Sequence, residues 1–136
     1  MILTDELCDR LFAAAHEKSK ELGVDISFAV CDEHGLPRVY RRYREALVLS
    51  ITLVPGKAYT AAVTQCKTKE VAAAAAEGVS LMAIQTNDPR ITLVAGGYPL
   101  FVNGKIAGGI GFGGGTEEQD CAIAEYVVSV FNELAR

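Results

Sequence analysis

The run Gly104-Lys105-Ile106-Ala107-Gly108-Gly109-Ile110-Gly111-Phe112-Gly113-Gly114-Gly115 constrains this chain more than any other stretch. Gly109, Gly111 and Gly114 spell a G-x-G-x-x-G that leaves an apolar, strand-like segment and enters a helix at Thr116. Such glycines can bring a backbone against a pyrophosphate at a helix N-terminus. A dinucleotide fold also needs a later strand carrying an acidic residue about 20 positions on, to hold the ribose. The helix from Thr116 runs to Arg136, so that strand is not expected and neither is a nucleotide cofactor. Glu117, Glu118 and Asp120 suit the helix dipole but repel phosphate. Thr116 and Gln119 have the spacing of a capping box, and Asn103-Gly104 is a hairpin signal. The glycines are expected to let the last helix, or a neighbouring subunit, approach closely.

A chain of 136 residues is long enough for one self-sufficient core, so a single domain over 1–136 is expected. Its formal net charge of −4 argues against a nucleic-acid partner. No apolar run has the length of a membrane span, and Met1-Ile2-Leu3-Thr4-Asp5-Glu6 lacks the basic and apolar regions of a signal peptide. Cys8, Cys31, Cys66 and Cys121 are scattered, as expected of reduced cysteines in a cytoplasmic protein.

Thr4 to Leu22 predicts a helix, with Cys8, Leu11, Phe12, Ala15, Ser19 and Leu22 on one stripe and Gly23 ending it. Ser27–Cys31 and Pro37–Tyr43 predict a hairpin around the turn Asp32-Glu33-His34-Gly35. A helical region from Leu47 to Gln65 contains Pro55, which either starts the helix or breaks it. Thr68 is expected to cap an alanine-rich helix ending at Gly78. Ile91–Ala95, Tyr98–Val102 and Lys105–Phe112 predict three more strands before the final helix. The fold class is α+β: an antiparallel sheet of about five strands with helices on both faces.

Several segments, in order, resemble the GlcG/HbpS-like family, which includes the C-terminal domain of PduO-type corrinoid adenosyltransferases. They are Glu21-Leu22-Gly23, Phe28 to Gly35, Gly56-Lys57-Ala58-Tyr59-Thr60-Ala61, Gly96 to Pro99, and Gly111 to Thr116 leading to Glu118-Gln119-Asp120. The resemblance spans nearly the whole chain. It implies a profilin-like three-layer α/β/α sandwich, assembly as a homo-oligomer, and a haem or small-ligand role linked to glycolate, glycerol, diol or corrinoid metabolism. The chain departs from the family where Arg-Met-Asp-Gly-Ala becomes Arg42-Tyr43-Arg44-Glu45-Ala46, and where Ser-x-Asp-Ile-Ala becomes the segment Ser50 to Val54, followed by Pro55.

With only two histidines, imidazole ligation of haem has few options. His16 lies one turn after Phe12 at the edge of the apolar stripe, where it is either an iron ligand or a half-exposed surface histidine. His34 lies in the hairpin turn; Cys31 and Tyr40 flank it. Arg38, Arg41, Arg42 and Arg44 form a dense cationic segment, with Arg42 a candidate contact for a carboxylate or haem propionate. The same arginines can instead protect an edge strand by charge. Lys57 lacks the surroundings of a phosphate loop and either meets a carboxylate ligand or anchors an acidic residue. No Ser-His-Asp order, H-E-x-x-H or paired-carboxylate spacing nominates a nucleophile. An accessory binding role is therefore expected ahead of an enzyme; the alternatives are a small enzyme using Lys57 on an organic acid or aldehyde, or a partner of a larger enzyme or microcompartment.

Overall fold

Thr4 takes an extended conformation and its hydroxyl accepts the Leu7 amide at 3.1 Å, which starts the first helix, α1 (Asp5–Leu22). Gly23 ends α1 with φ of 69°, a conformation glycine adopts without a Cβ clash. The expected stripe is buried, with Leu22 half-buried at its end. In the computed structural model, which describes residues 2–135, the elements that follow are β1 (Ser27–Asp32), β2 (Pro37–Arg42), α2 (Ser50–Thr64), α3 (Thr68–Ala74), α4 (Ile84–Asn87), β3 (Gly97–Val102), β4 (Lys105–Gly113) and α5 (Glu117–Leu134).

The sheet is antiparallel in the order β2-β1-β4-β3. It has four strands where about five were expected, because Ile91–Ala95 is not a strand. Side chains take up that segment's backbone groups instead. The Thr92 amide donates to Thr60 Oγ1 at 2.7 Å, and the Ile91 carbonyl accepts from Gln85 Nε2 at 2.9 Å. With those groups satisfied, no ladder is needed.

Alternation along the strands builds two different cores. Phe28, Val30, Ile110 and Phe112 pack with Leu11 and Phe12 of α1 and Ile123, Val127 and Phe131 of α5. On the other face, Ala29 and Cys31 meet Val54, Ala58 and Ala62 of α2. The layers are thus α1 and α5, the sheet, and α2, the expected α/β/α sandwich.

The glycine run explains how α2 fits. A Cβ on Gly109 would stand 2.2 Å from the Ala58 carbonyl oxygen, and one on Gly111 would stand 2.4 Å from that of Val54. Both neighbours are backbone of α2, which therefore lies directly on β4. The helix admitted by these two glycines is internal α2, not the final helix that the sequence suggested.

α2 passes through Pro55 without a break. The amide that proline lacks would serve Ile51, whose residue is exposed, so water can take its carbonyl. Thr68 is the first residue of α3 and not its cap, because its hydroxyl accepts the Gly97 amide at 2.9 Å and ties α3 to β3. α3 ends at Ala74, short of Gly78. At α5 the expected capping box is present: Thr116 Oγ1 accepts the Gln119 amide at 3.1 Å, and Gln119 Oε1 accepts the Thr116 amide at 2.9 Å. Thr116→Ala should lower unfolding free energy by about 1 kcal/mol in urea titration, without loss of helix content.

Candidate functional site

His16 is half-buried on α1, and its ring stacks on Tyr43 with centroids 4.4 Å apart and planes 10° from parallel. Tyr43 is held from below, since its hydroxyl donates to the Phe12 carbonyl at 3.1 Å. Arg41 lies over the same tyrosine ring at 4.8 Å. The β2 segment and its exit turn thus supply a platform for a histidine carried by α1.

Two clefts meet at the His16–Tyr43 pair. One, of about 370 Å³, is walled by Asp9, Phe12, Ala13, Val39 and Arg41. The other, of about 240 Å³, is walled by Ser19, Lys20, Asp25 and Arg44. Burial, and then the charges of Lys20, Arg41 and Arg44, hold the His16 pKa below the ordinary histidine value. A lowered pKa favours the neutral imidazole that iron ligation needs, and the neighbouring cations suit carboxylate groups nearby.

The other sequence candidates fall elsewhere. Arg42 lines neither cleft: its Nε donates to the Ala46 carbonyl at 2.7 Å and helps close its own loop. Arg38 pairs with Asp5 at 2.8 Å and Arg44 with Asp25 at 3.4 Å. His34 is an exposed turn residue 3.2 Å from Glu33. Cys31 is buried, its Sγ donates to the Ala58 carbonyl, and burial pushes its thiol up to about 12. That chemistry disfavours the thiolate a metal needs. Tyr40 donates its hydroxyl to Ser27.

Lys57 is 1% exposed, on the opposite face of the sheet from α1. Its Nζ donates to the Phe112 carbonyl at 2.6 Å and stands 3.8 Å from Asp120 Oδ2. Burial lowers the lysine pKa and raises that of Asp120 to about 6, while their mutual attraction opposes both shifts. Asp120 also accepts the Gly115 amide at 3.0 Å, so the pair ties α2, β4 and the start of α5 together. In the sequence, Asp120 is one of three acidic residues that suit the dipole of the last helix. Its position after three glycines, where α5 packs closely on the strand end, was the available signal.

A larger cavity, of about 570 Å³, lies between α2 and the β1–β2 hairpin, with Tyr59 and Arg90 in its wall. No sequence signal announces it, because its lining comes from four separated segments. Among the described residues, no three His, Cys, Asp or Glu side chains are grouped to hold a metal.

The fold and the platform at His16 define a profilin-like α/β/α sandwich with a histidine between two surface clefts. The family model for haem degrading protein HbpS-like matches residues 3–129, and the chain belongs to that family. It is 37% identical to an uncharacterized 15.0 kDa protein of the dhaT-dhaS intergenic region of Citrobacter freundii, covering 92% of this chain and 89% of that one. It is 32% identical to the Citrobacter freundii corrinoid adenosyltransferase PduO, covering 97% of this chain and 40% of the relative. The crystal structure of a PduOC:heme complex superposes with a TM-score of 0.88 at 31% identity, covering 93% of each chain.

Proposed function

We propose that this chain is a haem-binding accessory protein, with His16 as the iron ligand and Arg41 and Arg44 receiving the propionates. The observation that carries this reading is a half-buried histidine whose pKa is lowered, stacked on Tyr43 and bordered by apolar side chains and by Arg41 and Arg44, with Asp9 and Asp25 at the edges. The haem complex of a relative supports it. Bound haem would supply an iron centre for small axial ligands and electron exchange. The chain's own residues orient the imidazole, keep its lone pair free, and offer charge to the carboxylates. Arg42, the sequence candidate for a propionate contact, is a loop-closing residue in this reading. Lys57, buried and doubly engaged, becomes a strut, which removes the main support for a lysine-based enzyme.

The working form we infer is a cytoplasmic homo-oligomer acting beside corrinoid, diol or glycerol metabolism. The exposed run Leu47, Val48, Leu49 and Ile51, with Val48 78% exposed, supports a face covered by another copy. The relatives beside dhaT and in PduO support the metabolic setting.

Titration of the purified protein with hemin should give a saturating Soret shift, and His16→Ala should weaken binding at least tenfold. Absence of a saturating shift in the wild type would overturn haem binding, and an unchanged affinity in the variant would overturn the ligand. Protonation removes the lone pair, and the His16 pKa is depressed, so binding should hold through pH 6.5. It should weaken only as pH falls below the ring's lowered value. A loss already complete at pH 6.5 would contradict the assignment.

A further inference from the structure

The cavity between α2 and the β1–β2 hairpin has the size of a small-molecule pocket, at about 570 Å³. The sheet separates it from His16, since Ala29 and Cys31 face it with α2 while α1 packs on the other side. Its walls are mostly apolar, including Ala29, Leu36, Ile51, Pro55 and Ala58. The small side chains Ala29 and Ala58 leave the space open, and the Cys31 thiol is occupied by the Ala58 carbonyl.

One cation stands in this lining. Arg90 is fixed by three contacts: Nε to Asp88 Oδ1 at 3.3 Å, Nη2 to the Tyr59 hydroxyl, and its Cζ 4.1 Å over the Tyr59 ring. Tyr59 in turn donates its hydroxyl proton to Asp88. Within this triad the Tyr59 proton is already used, and each Asp88 oxygen already accepts from Tyr59 or Arg90. Arg90 Nη1 has no acceptor among the described residues. A ligand therefore meets an open Nη1 donor on an exposed guanidinium whose charge Asp88 partly offsets, and no acid in the cavity lining. The open Nη1 donor favours an acceptor over an amine, and a single guanidinium edge matches one carboxylate better than a doubly charged phosphate.

We propose that this cavity is a second binding site, taking a small carboxylic acid with an apolar body whose carboxylate pairs with Arg90. The apolar portion fills the space between Ala29, Ala58 and Ile51, and Tyr59 holds the guanidinium at the rim. The site is independent of His16.

Isothermal titration with phenylacetate tests this directly, with phenylacetamide and acetate as controls. Phenylacetate should bind saturably, and the amide, which lacks the charge, and acetate, which lacks the body, should bind at least tenfold more weakly. Arg90→Gln should weaken phenylacetate at least tenfold; Thr52→Trp, at an exposed lining position, should block it; His16→Ala should leave it unchanged. The proposal is overturned by absent saturation, by equal binding of the amide, or by Arg90→Gln without effect. It is also overturned if phenylacetate binds only after Leu49→Asp has dissociated the oligomer, because a second copy would then cover the cavity in the working form.

Discussion

Gly111→Ala is expected to destabilise the protein by about 3 kcal/mol or more, and Gly109→Ala by a similar amount, each read as a lower urea midpoint. The added methyl would lie 2.4 Å from the Val54 oxygen and 2.8 Å from the Ala58 nitrogen, both backbone atoms within one helix. A rotamer change cannot relieve such a clash; α2 itself must lift from β4. That motion would open the small-residue core of Ala29, Cys31, Val54, Ala58 and Ala62. Gly104→Ala is the control, for a Cβ there meets nothing within 4 Å. Its cost comes only from φ of 76° and should be about 1 kcal/mol. Equal losses at Gly104 and Gly111 would mean that backbone conformation, and not the seating of α2, accounts for the glycines.

Lys57→Ala should cost about 3–5 kcal/mol, because it leaves Asp120 buried without its counter-charge and opens a cavity. Lys57→Met fills most of that space, so its cost depends on pH. The Asp120 pKa is already raised to about 6 in the folded protein, and the attraction of Lys57 is what keeps it from rising further. A folded pKa above the unfolded one gives stability that is present below the unfolded value and lost as pH rises through the folded value. In the wild type this loss should run from about pH 4 to pH 6. In Lys57→Met the folded pKa rises further, so the loss extends above pH 6. The difference between variant and wild type should be small at pH 4 and grow steadily to pH 8. A difference independent of pH would show that Asp120 does not titrate against Lys57.

The frame of this fold was legible because its signals are local. Thr4 and Gly23 bound α1, Asp32 and Gly35 turn the first hairpin, and Thr116 with Gln119 caps α5. The misreadings came from tertiary contacts. Ile91–Ala95 has the composition of a strand, yet Thr60 and Gln85 satisfy its backbone from a distance. The glycines carried the correct message of close approach but not the identity of the helix, since Val54 and Ala58 are far away in sequence. At the candidate site, the half-buried position of His16 was readable from its place at the edge of the apolar stripe. Tyr43, Arg41 and Arg44 became its companions only when β2 folded back beside α1. Of the two roles open to Lys57, anchoring an acidic residue is the one the fold uses, but Asp120 was not legible as its partner because no periodicity announces a buried ion pair.

The most direct test of the account is chemical rescue of the iron ligand. Ferric haem complexes of the wild type, His16→Gly, and His16→Gly with added imidazole should be compared by optical absorption and electron paramagnetic resonance. The account predicts a histidine-ligated spectrum for the wild type, its loss in the variant, and its return with imidazole. A His16→Gly spectrum identical to that of the wild type, with imidazole changing nothing, would contradict it.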